Sequence, residues 1–175
     1  TIVPGIRALL DVTDISGQDI TEREIGFVIA PRINSAGRVG ETTDALQLLL
    51  TDDPSEALLL ARKLDQTNQE RRAEDQRTFD EALELLERDY DLSREMGVVL
   101  ANDGWHPGVI GIVATRIVEK IQRPVLIIAL DGERGRGSGR SIAGFNLFEA
   151  LKECSEHLIR FGGHKQAAGM DVARE

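Results

Sequence analysis

The sequence predicts an α/β protein: a mixed sheet with a βαβ unit, preceded by a helical segment and one long connecting helix. Three observations point there. From Pro54 to about Arg88 a helical pattern runs without an internal glycine or proline. Two apolar runs, Gly97–Ala101 and Val125–Leu130, flank an apolar helical stretch at the spacing of a βαβ unit. The residues before Asp53 read as short helices.

Composition narrows the function classes. With 41% hydrophobic and 29% charged residues in a chain of 175, this is ordinary globular material. No apolar run reaches the length that crosses a membrane, and the start carries no signal-peptide pattern. A chain that opens on Thr1 is expected to be a piece of something larger. The single cysteine, Cys154, excludes an internal disulfide. It is expected to pack as a half-buried thiol in a reducing, cytoplasmic setting. A net charge of −9 argues against indiscriminate nucleic-acid binding. Any contact with phosphates must come from a few arginines gathered in one place.

Taken in order, Pro4 to Leu10 reads as a short helix and Ser16-Gly17 as a turn. Thr21-Glu22-Arg23-Glu24 is a capping box, which places a helix over Glu22 to about Ile29, and Pro31 stops it. Ala30 to Gly40 then reads as a loop holding Arg32, Asn34 and Arg38. It is either a plain connection between helices or an anion clamp built on two guanidiniums. Ala45, Leu46, Leu49 and Leu50 form one apolar helical stripe. Asp53-Pro54-Ser55-Glu56 combines an N-cap, a proline in the first turn and a glutamate three residues on, a strong helix start. The long helix that follows is apolar at both ends and polar from Gln66 to Arg77, the pattern of a bridge between two lobes.

Beyond it, Gly97–Ala101 is a buried type of strand, and Trp105-His106-Pro107-Gly108 opens a helix with Pro107 in its first turn. The helix ends at Arg123-Pro124, and Val125–Leu130 is the second strand. Gly135 to Ser141 then follows as a third, ending near Ile142. Asn146 caps a helix over Leu147 to Glu153. Ser155 to Phe161 reads as a further short helix closed by Gly162-Gly163, and Ala167 to Val172 as the last strand.

Familiar catalytic patterns are missing. Gly132 to Ser138 lacks the lysine of a P-loop, the histidines are scattered, and no Asp/His cluster would hold a divalent pair. Glycine-and-donor segments remain. In a strand, Arg136, Ser138 and Arg140 share one face and Gly137, Gly139 and Ser141 the other. The first face offers donors to phosphate oxygens. The second admits another backbone, though the run could equally be a soluble hairpin tip. The helix start at His106-Pro107-Gly108 favours an anion through its free N–H groups and dipole. Gly162-Gly163-His164 can reach a phosphate or satisfy a carbonyl at a helix end.

Four segments together resemble the RecJ family of single-strand-specific exonucleases, within the DHH phosphoesterase superfamily. They are Ala30–Arg38, His106–Ala114, Gly137–Ser141 and Phe161–Gly169, in matching order along nearly the whole chain. The resemblance implies a helical segment at 1–53 after a missing DHH domain, a connecting helix at 54–92, and a DHHA1-like substrate-binding domain at 93–175. It implies Mn or Mg in the full-length protein, held by the DHH domain before Thr1, with no cofactor in this piece. An oligonucleotide-binding domain would follow residue 175. The reaction implied is 5′ to 3′ hydrolysis of single-stranded DNA in repair and recombination, with no catalytic residue in this chain.

Carried over residue by residue, Ser138 and Arg140 would bind a phosphate of the strand near its 5′ end, with Ser141 beside them. Arg32 or Arg38 would add a guanidinium, next to Asn34. His106 and the Gly162-Gly163-His164 turn would complete the wall, leaving Arg136 as a solvated neighbour. Two other readings stay open: a phosphoesterase for oligoribonucleotides or cyclic dinucleotides, and a non-enzymatic module that binds a nucleotide or a protein.

Overall fold

A computed structural model describes residues 3–15 and 20–174, so the turn expected at Ser16-Gly17 lies outside the described residues. The chain divides into two compact units, residues 1–73 and 74–175. The division falls inside the polar stretch Gln66–Arg77.

The first unit is helical: α1 (Pro4–Val12), α2 (Glu22–Glu24), α3 (Ala30–Val39), α4 (Thr42–Leu50) and the beginning of α5 (Pro54–Asp89). The capping box is present. The Thr21 N–H donates to Glu24 Oε2 at 3.0 Å, and Thr21 Oγ1 accepts from the Arg23 N–H at 3.2 Å. The helix does not run on to Ile29 in α form. After one short turn, Ile25–Ile29 is a π-helix, and Ala30 donates to the carbonyl of Ile25. Pro31 therefore does not stop the chain. The wider turn absorbs the register change, and the helical backbone continues through the proline in the first turn of α3. Ala30–Val39, expected as a loop, is a helix. Leu9, Leu48, Leu64, Ala57 and Ala61 close this unit's core.

The second unit contains the rest of α5, then β1 (Val98–Asn102), α6 (Ile110–Ile121), β2 (Val125–Asp131), β3 (Arg134–Arg140), α7 (Leu147–Glu153), β4 (Leu158–Gly163) and β5 (Ala167–Ala173). The five-stranded sheet has the order β1-β2-β3-β5-β4. The β1/β2 pair is parallel, joined through α6 as a βαβ unit, and the other pairs are antiparallel.

One sheet face carries Val98, Leu100, Val125 and Ile127, buried under Val113 and Ile117 of α6 and under Ala82 and Leu86 of α5. The opposite face packs Met170, Ala168 and Leu126 on Leu147 and Leu151 of α7. Ser155–Phe161 is not a helix. One 3₁₀ turn, Ser155–His157, leads directly into β4, because the exposed edge of β5 offers a ladder that Gly162-Gly163 can join. Cys154 is exposed at the end of α7 rather than packed, since the buried residues of that helix end at Leu151.

Candidate functional site

The site is built on β3, the strand that has two unlike faces. Gly135, Gly137 and Gly139 turn inward, and Arg134, Arg136, Ser138 and Arg140 turn to the α6 side. A Cβ on Gly139 would stand 2.5 Å from Leu126 Cδ2 and 2.8 Å from Leu147 Cδ2. Only glycine lets α7 and β2 approach this closely. Ser138 and Arg140 are half-buried where α6 begins. A Cβ on Gly111 would come within 3.0 Å of both Arg140 Nη2 and Ser138 Oγ. Arg140 Nη1 donates to Ser138 Oγ at 3.1 Å and to the Gly139 carbonyl at 2.8 Å, which fixes the guanidinium beside the hydroxyl. α6 begins without a side-chain cap. Its positive dipole end therefore adds to the two donors, the combination that holds an anion.

The loop leading into α6 is fixed from below. The Trp105 indole N–H donates to Glu81 at 2.9 Å, and Arg77 donates to the Gly104 carbonyl at 2.7 Å. Glu74 and then Glu81, hydrogen-bonded to Arg77, hold its pKa above the usual value. Arg116 of α6 lies 3.7 Å from the Phe79 ring centroid and pairs with Asp75. At the end of the sheet Arg174 grips Asp103, whose carboxyl this pairing keeps below the ordinary range.

Trp105-His106-Pro107-Gly108 does not open the helix as expected. It forms a turn in which His106 Nδ1 accepts the Gly108 N–H at 3.0 Å, and α6 starts only at Ile110. The side chain competes with the helix for that amide. It also leaves the other ring nitrogen of His106, Nε2, as the donor.

Ser141 belongs to the loop after β3. Its hydroxyl donates to the Phe145 carbonyl at 3.1 Å. Gly162 and Gly163 lie on β4 rather than after a helix. Gly163 has φ +146°, with its backbone pressed against Ala167 and Ala168. His164 is exposed in the β4–β5 turn and borders a cavity of about 590 Å³ with Phe145, Asn146 and Lys165. The sheet row Ile127–Ser138–Gly169–Gly162 places Gly162 on the same level as Ser138, two strands away, with Gly163 one row on.

Arg32, Asn34 and Arg38 belong to the first unit. On α3 the two arginines, six residues apart, are about two-thirds of a turn out of phase. Arg32 is largely buried, donating from Nε to Asp65 at 2.8 Å and from Nη1 to the Val28 carbonyl at 2.7 Å. Asn34 and Arg38 are exposed and, four residues apart, share one helix face.

Sequence reasoning missed Arg160, Asp171 and Gly111. Arg160 of β4 forms an ion pair with Asp171 of β5, on the face that carries Ser138. Phe161 standing between Arg160 and Gly162 was the available signal, since alternation fits a strand better than a helix. Gly111 gave no signal, because its role comes from the crossing of α6 over β3. Among the described residues, no group of three His, Cys, Asp or Glu side chains could hold a metal ion.

Comparison with known proteins agrees with this architecture. Residues 95–175 match the DHHA1 domain family. The chain is 42% identical over 172 residues to the single-stranded-DNA-specific exonuclease RecJ of Bacillus subtilis, an alignment that takes in 95% of this chain and 22% of that protein. With RecJ of Thermus thermophilus the identity is 43% over 172 residues, 97% of this chain and 24% of the relative. The crystal structure of RecJ with Mg²⁺ from Thermus thermophilus superposes with a TM-score of 0.84 at 39% identity, covering 97% of this chain and 26% of that one. A manganese-bound exonuclease RecJ gives a TM-score of 0.83 at 40% identity, covering 97% and 41%. The chain thus spans between 22% and 31% of the length of the curated relatives it matches. It is similar to RecJ along nearly its whole length, and its residues 95–175 match the DHHA1 domain family.

Proposed function

We propose that this chain is the substrate-binding part of a metal-dependent, single-stranded-DNA-specific exonuclease working 5′ to 3′. The observation that carries the reading is the pairing of Ser138 and Arg140 under the first turn of α6. It occurs in a chain about 40% identical to proteins named for that activity. The donors hold a backbone phosphate and set the register of the strand, and the helix dipole adds to the attraction. His106 Nε2, the Gly162-Gly163-His164 turn and Ser141 line the same domain. Asn34 and Arg38, exposed on the first unit, are further donors to the strand, and Arg32, held by Asp65 and the Val28 carbonyl, keeps only Nη2 for that role.

Hydrolysis of this kind would draw on a divalent metal to activate the attacking water. The described residues do not fit a metal, so bond cleavage is not assigned to them. On this reading the metal ligands belong to a DHH domain before Thr1, an oligonucleotide-binding domain follows, and the protein acts in cytoplasmic DNA repair and recombination. The relatives favour this reading over an oligoribonucleotide or cyclic-dinucleotide phosphoesterase and over a non-enzymatic module.

The test is Arg140→Ala in the intact protein. Losing a charge-assisted contact should weaken single-strand binding by about 10- to 100-fold. It should also flatten the dependence of affinity on salt. Unchanged nuclease activity and binding would return the chain to the non-enzymatic reading.

A further inference from the structure

Beyond Ser138 and Arg140 the same sheet face continues without cover. β5 and β4 present Gly169 and Gly162, both exposed and without side chains, as a flat floor in the Ser138 row. The next row along β3 is Arg136, paired in register with Asp171, which pairs in turn with Arg160. Arg136, Arg160, Asp171 and the two glycines bound a groove of about 340 Å³.

Both arginines are available. Arg136 is exposed, and its side chain has no hydrogen bond or ion pair among the described residues. The Arg160 side chain is 70% exposed and reaches Asp171 through Nε, which leaves its terminal nitrogens outward. Asp171 consumes part of Arg160's charge and orients it, so the row keeps a net positive charge.

Resting on the reading above, we infer that Arg136 and Arg160 form a second phosphate subsite, which takes the backbone phosphate adjacent to the one at Ser138 and Arg140. The spacing supports this. Two residues along a strand are about 7 Å, comparable with the step between neighbouring phosphates of an extended single strand. Two strands across are about 10 Å, which places Arg136 and Arg160 on opposite walls of the groove. Gly169 and Gly162 give the sugar-phosphate chain a flat floor in the adjoining Ser138 row, while in the arginine row Asp171 stands between the two and is held by Arg160 Nε, leaving the Arg136 guanidinium and the terminal nitrogens of Arg160 as the donors. The chain's −9 charge also makes such local pairs the means by which an acidic protein grips a polyanion.

The test uses the intact protein in EDTA, with single-stranded oligonucleotides in which one phosphodiester at a time is replaced by a neutral methylphosphonate. One linkage should lose about tenfold in affinity, the worth of one charge-assisted contact, and Arg136→Gln should abolish that sensitivity while leaving the melting temperature unchanged. Arg136→Lys should retain part of it, and Arg160→Gln should reduce it at the same linkage. Arg140→Ala should remove sensitivity at the neighbouring linkage instead. Coupling of Arg136 to no linkage, or to the same one as Arg140, overturns the second subsite while the proposed function stands. Absence of coupling for Arg140 as well overturns both.

Discussion

Gly111 is the residue on which the candidate site turns. A methyl group there would meet Arg140 Nη2 and Ser138 Oγ at 3.0 Å. Both are ends of side chains that can move, so the fold would tolerate the change. Alanine also favours a helix over glycine by about 1 kcal/mol. Gly111→Ala is therefore expected to leave thermal stability unchanged or raise it by up to about 1 kcal/mol. The displaced donors should nevertheless weaken oligonucleotide binding by about fivefold, a typical hydrogen bond's worth. Melting and anisotropy on the same sample check both halves, and a variant that binds normally removes Gly111 from the site. Residues of this kind divide by legibility. Ser138 and Arg140 could be read from sequence because a strand puts every second residue on one face. Gly111 could not, because what it makes room for lies on another element.

At the scale of elements, β3 shows how one strand serves packing and binding together. Its glycine face admits Leu126 and Leu147 at distances no side chain allows, and its other face carries the donors. Gly139→Ala should cost about 1–3 kcal/mol through overpacking, read as a lower urea midpoint at constant slope. An unchanged midpoint would mean that α7 can shift away without loss. The α5 start, the βαβ unit and the Asn146 cap were legible because each depends on neighbours in sequence: a cap, a proline or a periodic apolar run. The elements misread have reasons of another kind. Pro31 ordinarily ends a helix, yet a π-turn before it carries the chain into α3. Arg160 and Gly162 take strand geometry because β5 offers them a partner from the far side of a turn. Such pairing outweighs a weak local preference for helix.

Across the whole chain the buried residues form separate cores. Leu9, Leu48 and Leu64 close the core of the first unit. Val98, Ile117 and Ile127 close one side of the second unit's sheet, and Leu147 with Met170 the other. The link between units is α5, whose polar middle is held by i,i+4 pairs such as Asp65–Gln69 and Gln66–Glu70. Exposed pairs of this type contribute only a few tenths of a kcal/mol each, and each unit closes a core of its own. Calorimetry of this chain should therefore resolve two transitions. Leu48 is completely buried, and Leu48→Ala should cost about 2–5 kcal/mol, lowering one transition only. Gly139→Ala should lower the other. A single transition shifted by either substitution would mean that α5 carries folding cooperativity along its whole length. The polar stretch Gln66–Arg77 would then be a rigid spacer rather than a boundary between folding units.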